Sequence, residues 1–257
     1  MDARQAKVCQ ARQFFETKLL PRLERRGLTQ VVAAAVGGSV ALGLDDARSD
    51  VDLDVLLPEE ASEAQWQALV SAIRPAAGGP ICVQPKRLGR QRLAPRHAVE
   101  YFSRLQYWEL AAVDSYIILY DPCGWLCRFQ EALRPERCPQ HRWRAILEGE
   151  LLWLIDKHKD LSDSLARQDR VTAFVAAGQF AESALNLCYL FARRFPLSHK
   201  WVHRGVHTLG EYAARIEEHI GKLIRNPFEL RHADAVLRLC RSEAQGQRCW
   251  PSPEEGQ

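Results

Sequence analysis

Residues 36–55, VGGSVALGLDDARSDVDLDV, set the terms for everything else in the chain. An apolar run, Val31 to Val36, ends at Gly37-Gly38-Ser39, and a second run begins at Ser49-Asp50-Val51-Asp52-Leu53-Asp54-Val55. Side chains alternate faces along a strand. Asp50, Asp52 and Asp54 therefore share one face, and Val51, Leu53 and Val55 share the other. A half-buried strand lined with carboxylates is costly unless something cationic meets them. Mg²⁺ suits the position, because it takes oxygen ligands from one or two carboxylates and from substrate phosphates. The glycine turn supplies the other half. A tight turn opening a helix offers free backbone N–H groups and a positive dipole end to phosphate. Phosphate cradle and metal carboxylates together imply phosphoryl or nucleotidyl transfer.

Composition narrows the class. A chain of 257 residues with 47% hydrophobic and 26% charged residues is globular, and its length allows one large or two ordinary domains. The net charge of +3 is too mild to point to nucleic acid. No apolar run reaches membrane-span length, and the start MDARQAKVCQARQFFETK has no apolar secretory core. Eight scattered cysteines do not form a disulfide scaffold. A cytoplasmic protein with reduced thiols and no membrane partner is expected.

The remaining pattern reads as α+β. Val8, Ala11, Phe15, Leu19 and Leu23 predict a helix over 3–26, kinked or split at Pro21. Strand 31–36, the cradle, a short helix at 39–44 and the acidic strand closing at Pro58 follow. Ser62 caps a helix carrying Trp66, Leu69, Val70 and Ile73. Ile81-Cys82-Val83 starts a strand, and 86–92 reads as a basic turn. Strands at 97–102 and 116–120 and helices at 105–113 and 125–133 complete a mixed sheet with flanking helices over 1–135. Pro-rich 134–141 marks a boundary. Helices fill 140–243, including 172–195, 206–224 and 228–242; the polar tail 244–257 is expected to be disordered. Cys123, Cys127, Cys138 and His141 have zinc-ligand chemistry but no standard finger spacing, and buried thiols at a domain joint are the preferred reading.

Gly38-Ser39, a short helix and Asp50-Val51-Asp52 on a strand resemble the nucleotidyltransferase fold of the DNA polymerase beta superfamily. With Gly43 after the cradle and Ser49 directly before Asp50, the stretch is most similar to small bacterial and antibiotic-modifying nucleotidyltransferases. Arg193-Arg194-Phe195-Pro196-Leu197-Ser198-His199-Lys200-Trp201 resembles the helical half of bacterial nucleotidyltransferases of the DUF4037 type, where Lys-Trp shortly follows a Pro.

The resemblance implies transfer of a nucleoside monophosphate from an NTP, with ATP the expected donor, to an acceptor hydroxyl, foremost on a small molecule. Asp50 and Asp52 would hold Mg²⁺. A third carboxylate on a later strand would join them, for which Glu100 is the candidate and Asp114 the competitor. Gly37, Gly38 and Ser39 would hold the triphosphate, with Lys200 across a cleft between the domains. Protein- or tRNA-directed transfer of the antitoxin type, and a catalytically silent nucleotide-binding regulator, stay open. Oligomeric state is also open, with a homodimer among the options. No G-x-x-x-x-G-K-[ST] occurs, which argues against a P-loop enzyme.

Overall fold

The computed structural model describes residues 2–74, 80–88, 102 and 106–247. Residues 97–101 of the expected strand, with Glu100, and the end of the polar tail lie outside the described residues; Phe102, expected as the last residue of that strand, is helical. Two compact units divide the chain, Met1–Arg137 and Cys138–Gln257.

The first unit opens with helix α1, Ala3–Phe14, capped by Asp2. A π-turn at Phe15–Leu19 joins it to α2, Leu20–Glu24. Pro21 explains the break, since it cannot donate the N–H that regular winding requires. The apolar residues nevertheless stay on one side, and Ala11, Phe15, Leu19 and Leu23 are all buried.

A four-stranded sheet follows, ordered β3-β2-β1-β4, with β1 at Ala33–Val36, β2 at Val51–Pro58, β3 at Ile81–Leu88 and β4 at Ile117–Tyr120. β1 lies antiparallel to β2, Val36 opposite Leu53, and antiparallel to β4. β2 and β3 are parallel, so a crossover must join them. That crossover is helix α4, Glu63–Ile73, which follows the short helix α3 at Gly38–Leu42. Its start is a capping box: Ser62 Oγ accepts from the Gln65 N–H, and Gln65 Oε1 accepts from the Ser62 N–H. Val51, Leu53, Val55 and Leu57 enter the core with Val36, Val40, Leu69 and Ile73.

β3 runs further than the sequence suggested. Lys86 and Arg87 belong to the strand and not to a basic turn, in register with Leu56 and Leu57 of β2. Helix α5, Tyr107–Ser115, leads into β4, and α6, Trp125–Ala132, ends the unit. Tyr116, expected as a strand residue, is the C-cap of α5.

The second unit is helical: α7 Gln140–Ala166, α8 Arg170–Phe191, α9 Val202–Val206, α10 Glu211–Arg225 and α11 Leu230–Gly246. α11 thus continues past Ser242, where the sequence placed its end. Asp169 caps α8 through the Thr172 N–H, and Arg170 stacks 4.4 Å above the Phe228 ring. Phe180, Leu187 and Cys188 are buried along α8, whereas Phe174 near its start is 63% exposed. Among the described residues no helix is long and apolar enough to cross a membrane.

Candidate active site

The cradle is built by backbone geometry. Gly38 opens α3 at φ 60, in the left-handed region. A Cβ there would stand 1.9 Å from Asp52 Oδ2, so only glycine lets the turn lie against the acidic strand. A Cβ on Gly37 would meet Asp54 Oδ2 at 3.0 Å and Tyr116 Cε1 at 3.1 Å. The Gly37 N–H donates to the Asp52 carbonyl at 2.9 Å and ties the turn to β2. Ser39 is buried in the first turn of α3.

Other contacts fix the cradle helix from behind. Arg4 on α1 donates through Nε to the Val40 carbonyl at 2.8 Å and through a terminal nitrogen to the Ala41 carbonyl at 2.6 Å. These are carbonyls that a helix C-terminus leaves unsatisfied. Gly43, at φ 70, closes the helix, and Leu44 N–H donates to the Ser39 carbonyl. The loop into β2 is tied down as well. Lys7 pairs with Asp45 at 2.9 Å, and Ser49 Oγ donates to Asp46 Oδ1 at 3.1 Å. Asp45 and Asp46 are loop anchors, and the exposed Arg48 belongs to the same turn through its N–H to Asp46 Oδ1.

Asp50, directly before β2, and Asp52 and Asp54 on it are graded from water to core. Asp50 is exposed, Asp52 intermediate and Asp54 buried at 1% exposure. Ligand atoms of Asp50, Asp52 and Cys82 all lie within 4.8 Å of one another. Gln84 Nε2 donates to Asp52 Oδ1 at 3.2 Å. The two carboxylates, beside a cradle that a Cβ would fill, fit a hard divalent cation held by oxygen.

Asp54 has a different task. Lys86 Nζ donates to its Oδ2 at 2.6 Å, and the Tyr116 hydroxyl donates to the same oxygen at 2.8 Å. Burial, and then the Asp54 carboxylate, pushes the Tyr116 phenol far above its ordinary range, so it stays a donor. The cationic partner of Asp54 is thus Lys86, from the neighbouring strand. Period-two alternation through Cys82, Gln84 and Lys86 was the available signal. It was obscured because Lys86 opens a run of basic residues that resembles a loop.

Lys86 and Tyr116 also line a cavity of about 510 Å³ with Trp66, Arg87, Trp108 and Glu109. Arg87 lies 4.6 Å over the Trp66 ring and pairs with Glu63 at 2.7 Å.

Residues 16–129 match the family model described as a nucleotidyltransferase domain. Residues 102–202 match a second model, a domain of unknown function designated DUF4037, which overlaps the end of the first. No curated protein matched the chain. Among solved structures, a nucleotidyltransferase-like protein from Exiguobacterium sibiricum is similar at a TM-score of 0.48 and 14% identity, over 93% of this chain and 77% of that one. A spectinomycin adenyltransferase from Enterococcus faecialis, crystallised with ATP and spectinomycin, is similar at a TM-score of 0.38 and 12% identity, over 91% of this chain and 98% of that one.

Within the segment that matches the nucleotidyltransferase model, the structure brings Gly37, Gly38, Ser39, Asp50 and Asp52 together. Glu100 lies outside the described residues. Its competitor Asp114 is exposed in the last turn of α5. Lys200 belongs to the second unit, where its ammonium lies 4.9 Å over the Trp201 ring. Cys123, Cys127, Cys138 and His141 form none of the three-ligand groups found among the described residues. Cys123 instead donates to the Gln30 carbonyl.

Proposed function

We propose that the chain transfers a nucleoside monophosphate from an NTP, with ATP the donor, to a hydroxyl of a small-molecule acceptor. The contact between Gly38 and Asp52 carries this reading, because it sets a phosphate-binding turn against a metal-competent carboxylate. Asp50 and Asp52 would hold Mg²⁺. When bound, the metal supplies charge neutralisation on the triphosphate and Lewis-acid activation of the attacking oxygen.

The chain's own groups do the rest. The cradle's backbone N–H groups and Ser39 receive phosphate oxygens and orient the leaving group. Glu100 accepts the acceptor's proton. Positioning and electrostatics carry most of a reaction of this type. A small acceptor is supported by the cavity of about 510 Å³, whose Lys86 and Tyr116 are the residues that hold Asp54. Its size and aromatic lining suit a small organic molecule.

Incubation with each α-labelled NTP and Mg²⁺, with and without the small-molecule and macromolecular fractions of a cell extract, tests the reading. Label from ATP in a small-molecule product is expected. Label in protein or tRNA would replace the acceptor class. A folded protein that binds ATP and labels nothing would be a nucleotide-binding regulator.

A further inference from the structure

The second unit carries a metal-ligand cluster that the nucleotidyl-transfer reading does not use. His203 lies on α9 and His207 at its C-cap, a His-x3-His spacing that puts both imidazoles on one helical face. Glu217 approaches them from α10. That helix buries Ala213, Ile216, Ile220 and Leu223, and Glu217 lies at the edge of this apolar stripe, shielded to 17% exposure. One carboxylate oxygen meets His203 Nε2 at 2.8 Å, and the other meets His207 Nδ1 at 3.1 Å. The two rings are 5.7 Å apart and nearly edge-on.

The support behind the cluster is rigid. Gly205, between the histidines, lets α9 settle on α8: a Cβ there would lie 2.1 Å from the Tyr189 hydroxyl. That hydroxyl donates to the Val202 carbonyl at 2.8 Å, and Val202, Gly205 and Val206 are buried. Thr208 Oγ1 donates to the Gly205 carbonyl and closes the turn that leads to α10. The inner face of α9 is thus fixed, while both imidazoles stand in solvent at 61% and 62% exposure. An ion can reach them, and the backbone need not move to receive it.

The geometry points to a binding site for a zinc-like transition-metal ion formed by His203, His207 and Glu217. Ligand atoms of all three already lie within 4.8 Å of one another. Tetrahedral zinc with bonds of about 2.0–2.1 Å needs ligand atoms about 3.3 Å apart, so small side-chain rotations suffice. Two imidazoles and one carboxylate favour Zn²⁺ over Mg²⁺, which prefers an all-oxygen shell. Three protein ligands leave a fourth position for water or an incoming group. A neutral imidazole that now donates its proton to Glu217 shifts that proton to its other ring nitrogen and gives the freed lone pair to the metal. No oxidant or further reactant is needed.

Equilibrium dialysis against Zn²⁺, with Co²⁺ absorption as the spectroscopic readout, tests the site on the full chain. The double variant His203→Gln, His207→Gln keeps polar side chains at both positions. Glu217→Gln keeps an acceptor for the imidazoles but removes the charge. Asp50→Asn with Asp52→Asn controls for binding at the acidic strand. The proposal expects the control variant to retain one Zn²⁺ and the tetrahedral Co²⁺ bands, with melting temperature raised by Zn²⁺. The double histidine variant should lose that ion and that thermal shift, and Glu217→Gln should bind about tenfold or more weakly. Equal Zn²⁺ binding by a folded double histidine variant would overturn the proposal. So would a control variant that binds no Zn²⁺, which would leave Glu217 as a hydrogen-bonding anchor between α9 and α10.

Discussion

The Lys86 ammonium meets Oδ2 of Asp54 at 2.6 Å, and that carboxylate is almost completely buried. The pair joins the acidic strand to its parallel neighbour on the face that carries Asp52. Asp54 Oδ1 has no hydrogen-bond partner among the described residues, so the two donors on Oδ2 carry the carboxylate's compensation and Oδ1 is left unsatisfied. Breaking one partner of a buried pair leaves the other uncompensated. Lys86→Met should therefore destabilise the protein by about 1–3 kcal/mol, moderated because the Lys86 side chain is 36% exposed. Chemical denaturation measures this. Adding Asp54→Asn should recover part of the loss, because the neutral amide can still accept from Tyr116. A simple sum of the two single effects would show that the residues are not coupled.

Gly38→Ala should separate fold from site. The new Cβ would face Asp52 Oδ2 at 1.9 Å, in a backbone conformation that costs a non-glycine residue about 1–2 kcal/mol. Asp52 or the turn must shift. NTP affinity measured by calorimetry should fall at least tenfold, while circular dichroism stays close to wild type. Gly37→Ala, with ordinary φ and contacts at 3.0 Å and 3.1 Å, should do less harm. Equal affinity in Gly38→Ala and wild type would place the phosphates elsewhere.

Much of this site was legible because its residues form local patterns. The alternation of Asp50, Asp52 and Asp54 with Val51, Leu53 and Val55 fixed both faces of β2. Gly38 announced a turn that only glycine permits. The partners of Asp54 were harder to see, because Lys86 and Tyr116 reach it through strand register and helix placement, at separations no local pattern encodes. The His203, His207 and Glu217 group escaped for the same reason. His-x3-His is a weak signal until a second helix brings the carboxylate alongside.

Removal of charge at the acidic pair distinguishes catalysis from stability. Asp50→Asn with Asp52→Asn should stay folded and be no less stable without metal, since like charges are relieved. Mg²⁺-dependent transfer should be lost. Unchanged turnover in the folded variant would end the proposed mechanism.

Alkaline pH should weaken the fold through buried acids. Burial raises the Cys138 thiol to about 11 and the Cys188 thiol to about 12, against an ordinary value of 9.0. Tyr116 is raised further beyond its own ordinary range. In each case the unfolded chain releases its proton first. The stability these groups contribute is full below the unfolded value and falls as pH rises towards the folded one. Denaturation midpoints should drop progressively above about pH 9, starting from the thiol value of 9.0. Tyr116→Phe should flatten the part of the decline above about pH 10. Thiol labelling offers a second check: exposed Cys9 and Cys127 should react quickly, and buried Cys138, Cys188 and Cys240 only on unfolding.

The last test asks whether the domain performs chemistry or only senses nucleotide, and it turns on Glu100. A third carboxylate serving the acceptor is needed for proton removal but not for holding the triphosphate, which the cradle and Asp52 address. Glu100→Gln preserves shape and hydrogen-bonding capacity while removing the charge. NTP binding should remain near wild type, and transfer should fall by about a hundredfold or more, the usual scale for a lost general base. Single-turnover kinetics with labelled ATP separates these effects. Asp114 provides the counter-test, because it is an exposed residue of α5. If Asp114→Asn abolishes transfer and Glu100→Gln does not, the acceptor-side carboxylate belongs to α5 and the reaction class stands. If wild-type protein binds ATP yet transfers to no small molecule, protein or RNA, the acidic strand serves nucleotide recognition alone.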